Sequence, residues 1–307
     1  RVIVFNNLVL FPDTYNQKSD AKFYEAVRNS KNLINTYIFV NSNILDDVIP
    51  SEYINIFDKK SNIEIEDKRS KKEDFSYSGV LKLPLEFLED VKSLAYSMLV
   101  EDEDGCSRTY MPLAMFNGKF YPSIALSAYA LYTGQNKFIL KDGYLCSEDN
   151  CRTLKMPVHQ KKIKDTSRNI TKGLISYFNW KTPFNKYYSH KTFSAVSVLE
   201  GRVSPNEFKN KIVIIGLNAP NHNWAKVHRT PVLEKQADID IHAVMLGNML
   251  ENSFKTAPNR DYSPLLTIVF CFFILRGFKN FKLNIIFTSI LVFLYIIYYF
   301  YEYILGI

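Results

Sequence analysis

Apolar and polar positions along the chain alternate between two periods, one typical of strands and one of helices. Val2 to Phe5 is a strand-like run. It is followed by a helix over 20–29, in which Phe23, Tyr24 and Val27 share a face, and by the strand-like Leu33 to Val40. Residues 41–82 break the pattern as a polar insertion, and the sign-alternating run from Asp58 to Asp74 reads as a solvated loop. Pro84 opens a helix over 85–94, and 95–100 is extended. Thr109 to Phe116 and Phe120 flank Asn117-Gly118, the strongest short hairpin signal in the chain. Pro122 starts a helix that stops near Gly134. FILKDGYLC and CRTLKMPV read as two short strands on either side of the tip between Cys146 and Cys151. A strand over 173–178, a helix over 194–200 closed by Gly201, and a turn at Ser204-Pro205 follow. The four β-branched residues of KIVIIG (Lys211 to Gly216) do not alternate with polar ones and predict a strand buried on both faces. A helix over 239–250 closes the head. Strands and helices intermingled in this way predict an α/β fold, a mixed sheet layered with flanking helices.

The pattern changes at Tyr262. The last 46 residues carry four charges, Arg276, Lys279, Lys282 and Glu302, whereas a quarter of the preceding 261 are charged. Leu283 to Tyr301 is 19 residues without a charge, long enough for a hydrocarbon core of ~30 Å. Tyr262 to Leu275 is shorter and spans if its helix runs on to Phe278 while Arg276 and Lys279 reach the headgroups. The expected organisation is a head over 1–261 and an anchor of two transmembrane helices, about 262–278 and 283–303. Tyrosines near the end of the second helix suit an interfacial belt. The three cations between the helices place that connector in the cytoplasm and the head outside. Arg1 opens directly on an apolar run without the pattern of a signal peptide, so the head is expected to start in mid-domain.

Of the net charge of +7 the head carries +5, spread along the chain where a nucleic-acid binder would concentrate its cations on one face or arm, which argues against a nucleic-acid partner. Hydrophobic content of 47% with only 11 Gly and 12 Pro excludes a disordered or collagen-like chain. In an extracytoplasmic head a disulfide between Cys146 and Cys151 is the natural state, with two free thiols the alternative. The pair lacks the second Cys or His pair that a zinc site would require.

The candidate ligand site is the loop after KIVIIG, because ligands of open α/β sheets bind beyond the carboxyl ends of strands. Asn218, Asn221, His222, His228 and Thr230 fall there. The loop has one Gly, no Lys-Ser/Thr pair and a Pro, which argues against a phosphate cradle. His222, His228, Asp240 and His242 lack metal-ligand spacing, and His242 shares a helical face with Met245, Leu246 and Met249, as a partly buried, satisfied histidine would. No G-x-S-x-G elbow is present, and no catalytic residue or cofactor is expected.

The order of SVLEGRVSPNEFKNKIVIIGLNAP, Thr230-Pro231 and IDIHAVMLGNML, followed at once by an apolar helix, resembles the type-two CHASE domain, a cyclase- and histidine-kinase-associated sensory extracellular domain of bacterial receptors. DGCSRTYMPLAMFNGKFYPSIALSAYALYTG and the opening VFNNLVLFPD fit the same resemblance. The chain departs from the family's pattern at Asn6, Asp240, Val244 and the loop 221–227. The resemblance implies an input domain that takes an extracytoplasmic ligand and signals as a homodimer in the inner membrane. It passes the signal to a cytoplasmic output such as an adenylate or guanylate cyclase or a kinase. The competing expectations are a membrane-tethered periplasmic hydrolase built on the His/Asp cluster, and a passive interaction module.

Overall fold

The computed structural model describes residues 2–8, 17–40, 51–69, 76–81, 83–102, 104–164, 170–180, 191–218, 226–256 and 293. The chain begins β1 (Val2–Phe5), α1 (Gln17–Asn29), β2 (Leu33–Tyr37), β3 (Phe39–Val40), α2 (Ser51–Asp58), β4 (Glu64–Asp67), β5 (Ser76–Tyr77) and β6 (Gly79–Val80). It continues α3 (Leu85–Asp90), β7 (Ser93–Tyr96), β8 (Thr109–Phe116), β9 (Lys119–Pro122), α4 (Ile124–Thr133), β10 (Lys137–Lys141), β11 (Tyr144–Ser147) and β12 (Lys155–Pro157). The remaining elements are β13 (His159–Lys164), β14 (Ile170–Tyr177), α5 (Ala195–Leu199), a 3-10 turn (Pro205–Phe208), β15 (Ile212–Ile215), β16 (Val227–His228), β17 (Gln236–Ala237) and α6 (Asp238–Leu250).

The candidate site is built on a four-stranded parallel sheet in the order β15-β1-β2-β7. Successive side chains point to opposite faces of a strand, so each strand can feed two cores. Val2, Val4, Ile34 and Ala95 join Ile124 and Ala128 of α4 and Ile241 and Met245 of α6. Tyr37, Leu94 and Tyr96 join Tyr24 and Val27 of α1 and Phe87 and Leu88 of α3. Helices therefore cover both faces, as parallel strands require.

A second sheet has the order β12-β11-β10-β4, and a third has β13-β14-β8-β5 with β9 on β8. The β8-β9 turn has Asn117 and Gly118 both at positive φ, 49° and 72°, the backbone that twists two strands together. Helix α4 starts at Ser123, whose hydroxyl accepts from the Leu126 N–H at 3.4 Å, and ends at Gly134.

Four expectations from the sequence are corrected. Residues 41–82 are not one irregular loop: α2 packs through Phe57, and β4 pairs with β10 in parallel. The helix after Pro84 stops at Asp90, since Val91 is already extended and Ser93 to Tyr96 join the parallel sheet. FILKDGYLC is not one strand, because Asp142-Gly143 turns it into the hairpin β10-β11, and β11 then pairs with β12. KIVIIG is not buried on both faces: among the described residues β15 lies at the end of its sheet with β1 as its neighbour, and Ile215 is 42% exposed.

Residues 1–254 form one compact unit and 255–307 another. The transmembrane helices expected at 262–278 and 283–303 lie, but for residue 293, outside the described residues. Among the described residues no helix is long and apolar enough to cross a membrane.

Candidate functional site

In the parallel sheet, β1 is followed along the chain by β2 on one side, while β15 lies against its other side. The order of strands reverses there, and loops diverge beyond the carboxyl ends of β1 and β15. Asn6 caps β1. Its backbone N–H donates to the Ile215 carbonyl at 2.7 Å, and its side-chain Oδ1 accepts from the Ser97 hydroxyl at 2.6 Å. A buried asparagine is thus held both by β15 and by the residue that follows β7.

Helix α6 sits down on this end of the sheet. A Cβ placed on Gly216 would lie 2.6 Å from Ile239 Cγ2 and 3.4 Å from Asn6 Cβ, so glycine is what admits the first turn of α6 this close. That turn is acidic, with Asp238 and Asp240, as suits the positive end of a helix dipole. The Asp238 N–H donates to the Lys226 carbonyl at 3.2 Å, and the hairpin β16-β17 sets Val227 opposite Ala237 and His228 opposite Gln236. Burial pushes the Asp238 carboxyl above the usual range. Lys226, His228, the Ile239 N–H and Asn6 oppose that rise without cancelling it.

Two further polar pairs belong to this group. The His228 Nδ1 is 3.1 Å from Glu101 Oε1, and the Asn218 amide donates to Asp240 Oδ1 at 3.4 Å. Asp238, Asp240 and Glu101 are thus gathered with a histidine, a lysine and the two amides of Asn6 and Asn218. Such a set has the chemistry to bind a polar solute and to register a change of charge. Among the described residues no group of three or more His, Cys, Asp or Glu side chains is placed to hold a metal ion.

Of the residues expected at the site, Asn218 stands there beside α6, and His228 borders it from β16. Thr230 serves a different purpose. It is 5% exposed, donates to the Leu233 carbonyl at 3.0 Å, accepts from the Leu233 N–H at 3.0 Å, and lies 3.1 Å from Gln236 Oε1, so its hydroxyl holds the turn before β17. Asn221 and His222 lie outside the described residues. Reasoning from the sequence does not single out Asp238, Glu101 or Ser97. The acid two residues before Asp240, at the start of an apolar helix, is the available signal.

His242 is fully buried, with Nδ1 2.8 Å from the Tyr110 hydroxyl, while its Nε2 has no hydrogen-bond partner among the described residues. The ring is thus buried completely where the sequence predicts partial burial, and one of its nitrogens is satisfied rather than both. Burial, followed by the charges of His228 and Lys226, pushes its pKa down to about 3, so the ring is neutral. Cys146 and Cys151 are joined in a disulfide across the β11-β12 connection.

The family model described as CHASE2 domain matches residues 1–277 of the chain. No curated protein and no solved structure matches it.

Proposed function

The chain belongs to the CHASE2 domain family, a family of extracellular sensory domains, and we propose that it is the extracytoplasmic input domain of a bacterial transmembrane receptor in the inner membrane. The apolar segment 262–307 supplies the anchor, and the receptor works as a homodimer that drives a cytoplasmic cyclase or kinase.

The observation that carries this reading is the close seat of α6 on the strand ends, where Gly216 lies against both Ile239 of α6 and Asn6 after β1. A solute held beyond these strand ends by Asn218, Asp238 and Asp240 would touch the first turn of the helix. That helix leads along the chain toward the apolar segment. Binding biases such a helix only by the difference in affinity between its two positions, and about 1–3 kcal/mol is the usual scale of coupling.

The test joins residues 1–307 to an adenylate cyclase catalytic domain, through one added transmembrane helix that returns the chain to the cytoplasm, and reads cyclic AMP in cells. Gly216→Ala wedges the helix off the strand end, and Asp238→Asn removes one of the two carboxyls of its first turn, so each should change basal output about 5-fold or more. A fusion that is inserted and folded, yet gives the same output in wild type and both variants, overturns the proposal.

A further inference from the structure

Strand β15 ends the parallel sheet, and among the described residues only its β1 flank is paired. On that flank the Val2 N–H donates to the Lys211 carbonyl at 3.3 Å and the Asn6 N–H to the Ile215 carbonyl at 2.7 Å, with Val2 to Phe5 in register with Ile212 to Ile215. Backbone groups alternate in direction along a strand, so those of Lys211, Val213 and Ile215 face β1. The N–H and C=O groups of Ile212 and Ile214 therefore face outward. Four β-branched residues in a row, with no proline and no charge inside the strand, leave this edge open to a further strand.

The sheet beside the edge is also incompletely covered on one face. Val213 lies next to Ile3 and Ile215 next to Phe5. Ile3, Phe5 and Val213 are only partly buried, and Ile215 and, beyond it, Leu217 are each 42% exposed. Charge differs between the two ends of the strand. Lys209 and Lys211 are exposed at its amino end, whereas its carboxyl end leads to Asn218, which donates to Asp240 of α6. A second copy laid parallel would set cations against cations. Laid antiparallel, it sets the cationic end of each copy against the acidic end of the other.

We propose that β15 is the subunit interface of the homodimer, paired antiparallel with β15 of a second copy about a two-fold axis at Val213. For the identity of its partner this rests on the receptor reading above, and for its geometry on the edge itself. Ile212 exchanges backbone bonds with the partner's Ile214, and Ile214 with the partner's Ile212. The two parallel sheets become one continuous sheet, in which the Val213 side chains of both copies meet. The stem of Lys211 covers the partner's Ile215. The contact is isologous and so closes at two copies.

The test uses residues 1–307 in detergent micelles with Cys271 replaced by serine; Cys106 is buried, and Cys146 and Cys151 are bonded to each other. Val213→Cys should cross-link to a second copy of itself under copper phenanthroline, because directly opposite Cα atoms in such a pair are about 4.5 Å apart. Leu217→Cys should not cross-link to itself, since its counterpart is the partner's Lys209, but should do so when mixed with Lys209→Cys. Light scattering reads the mass. Lys209→Glu with Lys211→Glu should weaken dimerisation about 5-fold, whereas arginine at both positions should leave it unchanged. Ile214→Pro removes an outward N–H and none that is shared with β1, and should weaken dimerisation at least about 10-fold. A chain that stays monomeric overturns the proposal, and slow hydrogen exchange at Ile212 and Ile214 in that monomer would show the edge covered from within. A dimer in which neither Val213→Cys nor the mixed pair cross-links, or in which Leu217→Cys alone cross-links as well, overturns this interface and leaves the homodimeric receptor standing.

Discussion

The hydroxyl of Tyr110 on β8 lies 2.8 Å from Nδ1 of His242 on α6, and both side chains are fully buried. The pair ties the third sheet to the helix whose first turn rests on the parallel one. Tyr110 also accepts from the Ala125 N–H at 3.4 Å, so one phenol serves α4 and α6 together.

Removing that hydroxyl leaves His242 without a partner at Nδ1, in addition to the one it lacks at Nε2 among the described residues. A buried polar atom stripped of its bond costs about 1–3 kcal/mol. Tyr110→Phe should therefore lower the stability of the head by that amount in urea denaturation, with no change of its far-ultraviolet circular dichroism. An unshifted midpoint would show that the contact is not formed.

His242 also predicts a response to acid. Its pKa falls from an ordinary 6.5 to about 3 in the folded head. Between those values the unfolded chain takes up a proton that the folded one refuses, so stability drops as the pH falls through this window and is fully present above 6.5. One proton contributes up to about 1.4 kcal/mol per pH unit. His242→Phe should flatten the pH dependence of unfolding between about pH 6 and 4 by that slope, and an unaltered slope refutes the assignment.

Asp238 acts in the opposite direction. Its carboxyl is raised above an ordinary 3.8, so the folded chain keeps a proton that the unfolded one has already released. Its contribution to stability therefore declines as the pH rises from the ordinary value through the raised one. Asp238→Asn should stabilise the head near pH 7 by up to about 1 kcal/mol, and the gain should vanish near about pH 3. A gain that is equal at both pH values would mean that charge is not its cause.

The bond between Cys146 and Cys151 closes a short loop. Restricting a loop of this length in the unfolded chain contributes about 2 kcal/mol. The double variant Cys146→Ala, Cys151→Ala should lose that much in urea while β11 and β12 stay paired, because Asp149 accepts from the Arg152 and Thr153 N–H groups at 3.1 Å and holds the turn separately. Loss of native hydrogen-exchange protection at Leu145 would contradict this.

Local signals in the sequence are legible where one residue forces a backbone choice. Asn117-Gly118 specifies the β8-β9 hairpin, and Gly134 ends α4, whereas Pro122 closes β9 and Ser123 caps the helix. Elements that depend on distant partners are not legible. Strand β4 reads EIED, which resembles a charged loop, and it becomes a strand because β10 pairs along it and Ile65 packs against the core. The unbroken β-branched run of β15 does not reveal that, among the described residues, the strand stands at the end of its sheet, since periodicity does not count neighbours. At the site, the loop after β15 can be located from the strand alone. Asp238 enters only through the tertiary approach of α6 to the strand end, which buries its carboxyl.

The pairing of Val2 with Ile212 through Phe5 with Ile215 has a consequence for biogenesis. Strand β1 cannot complete its sheet until a partner about 210 residues later has been made. At ribosomal speeds of about 5–20 residues per second, β1 waits roughly 10–40 s with one flank bare. An interruption of translation before β15 therefore leaves a chain whose β1 lacks this partner.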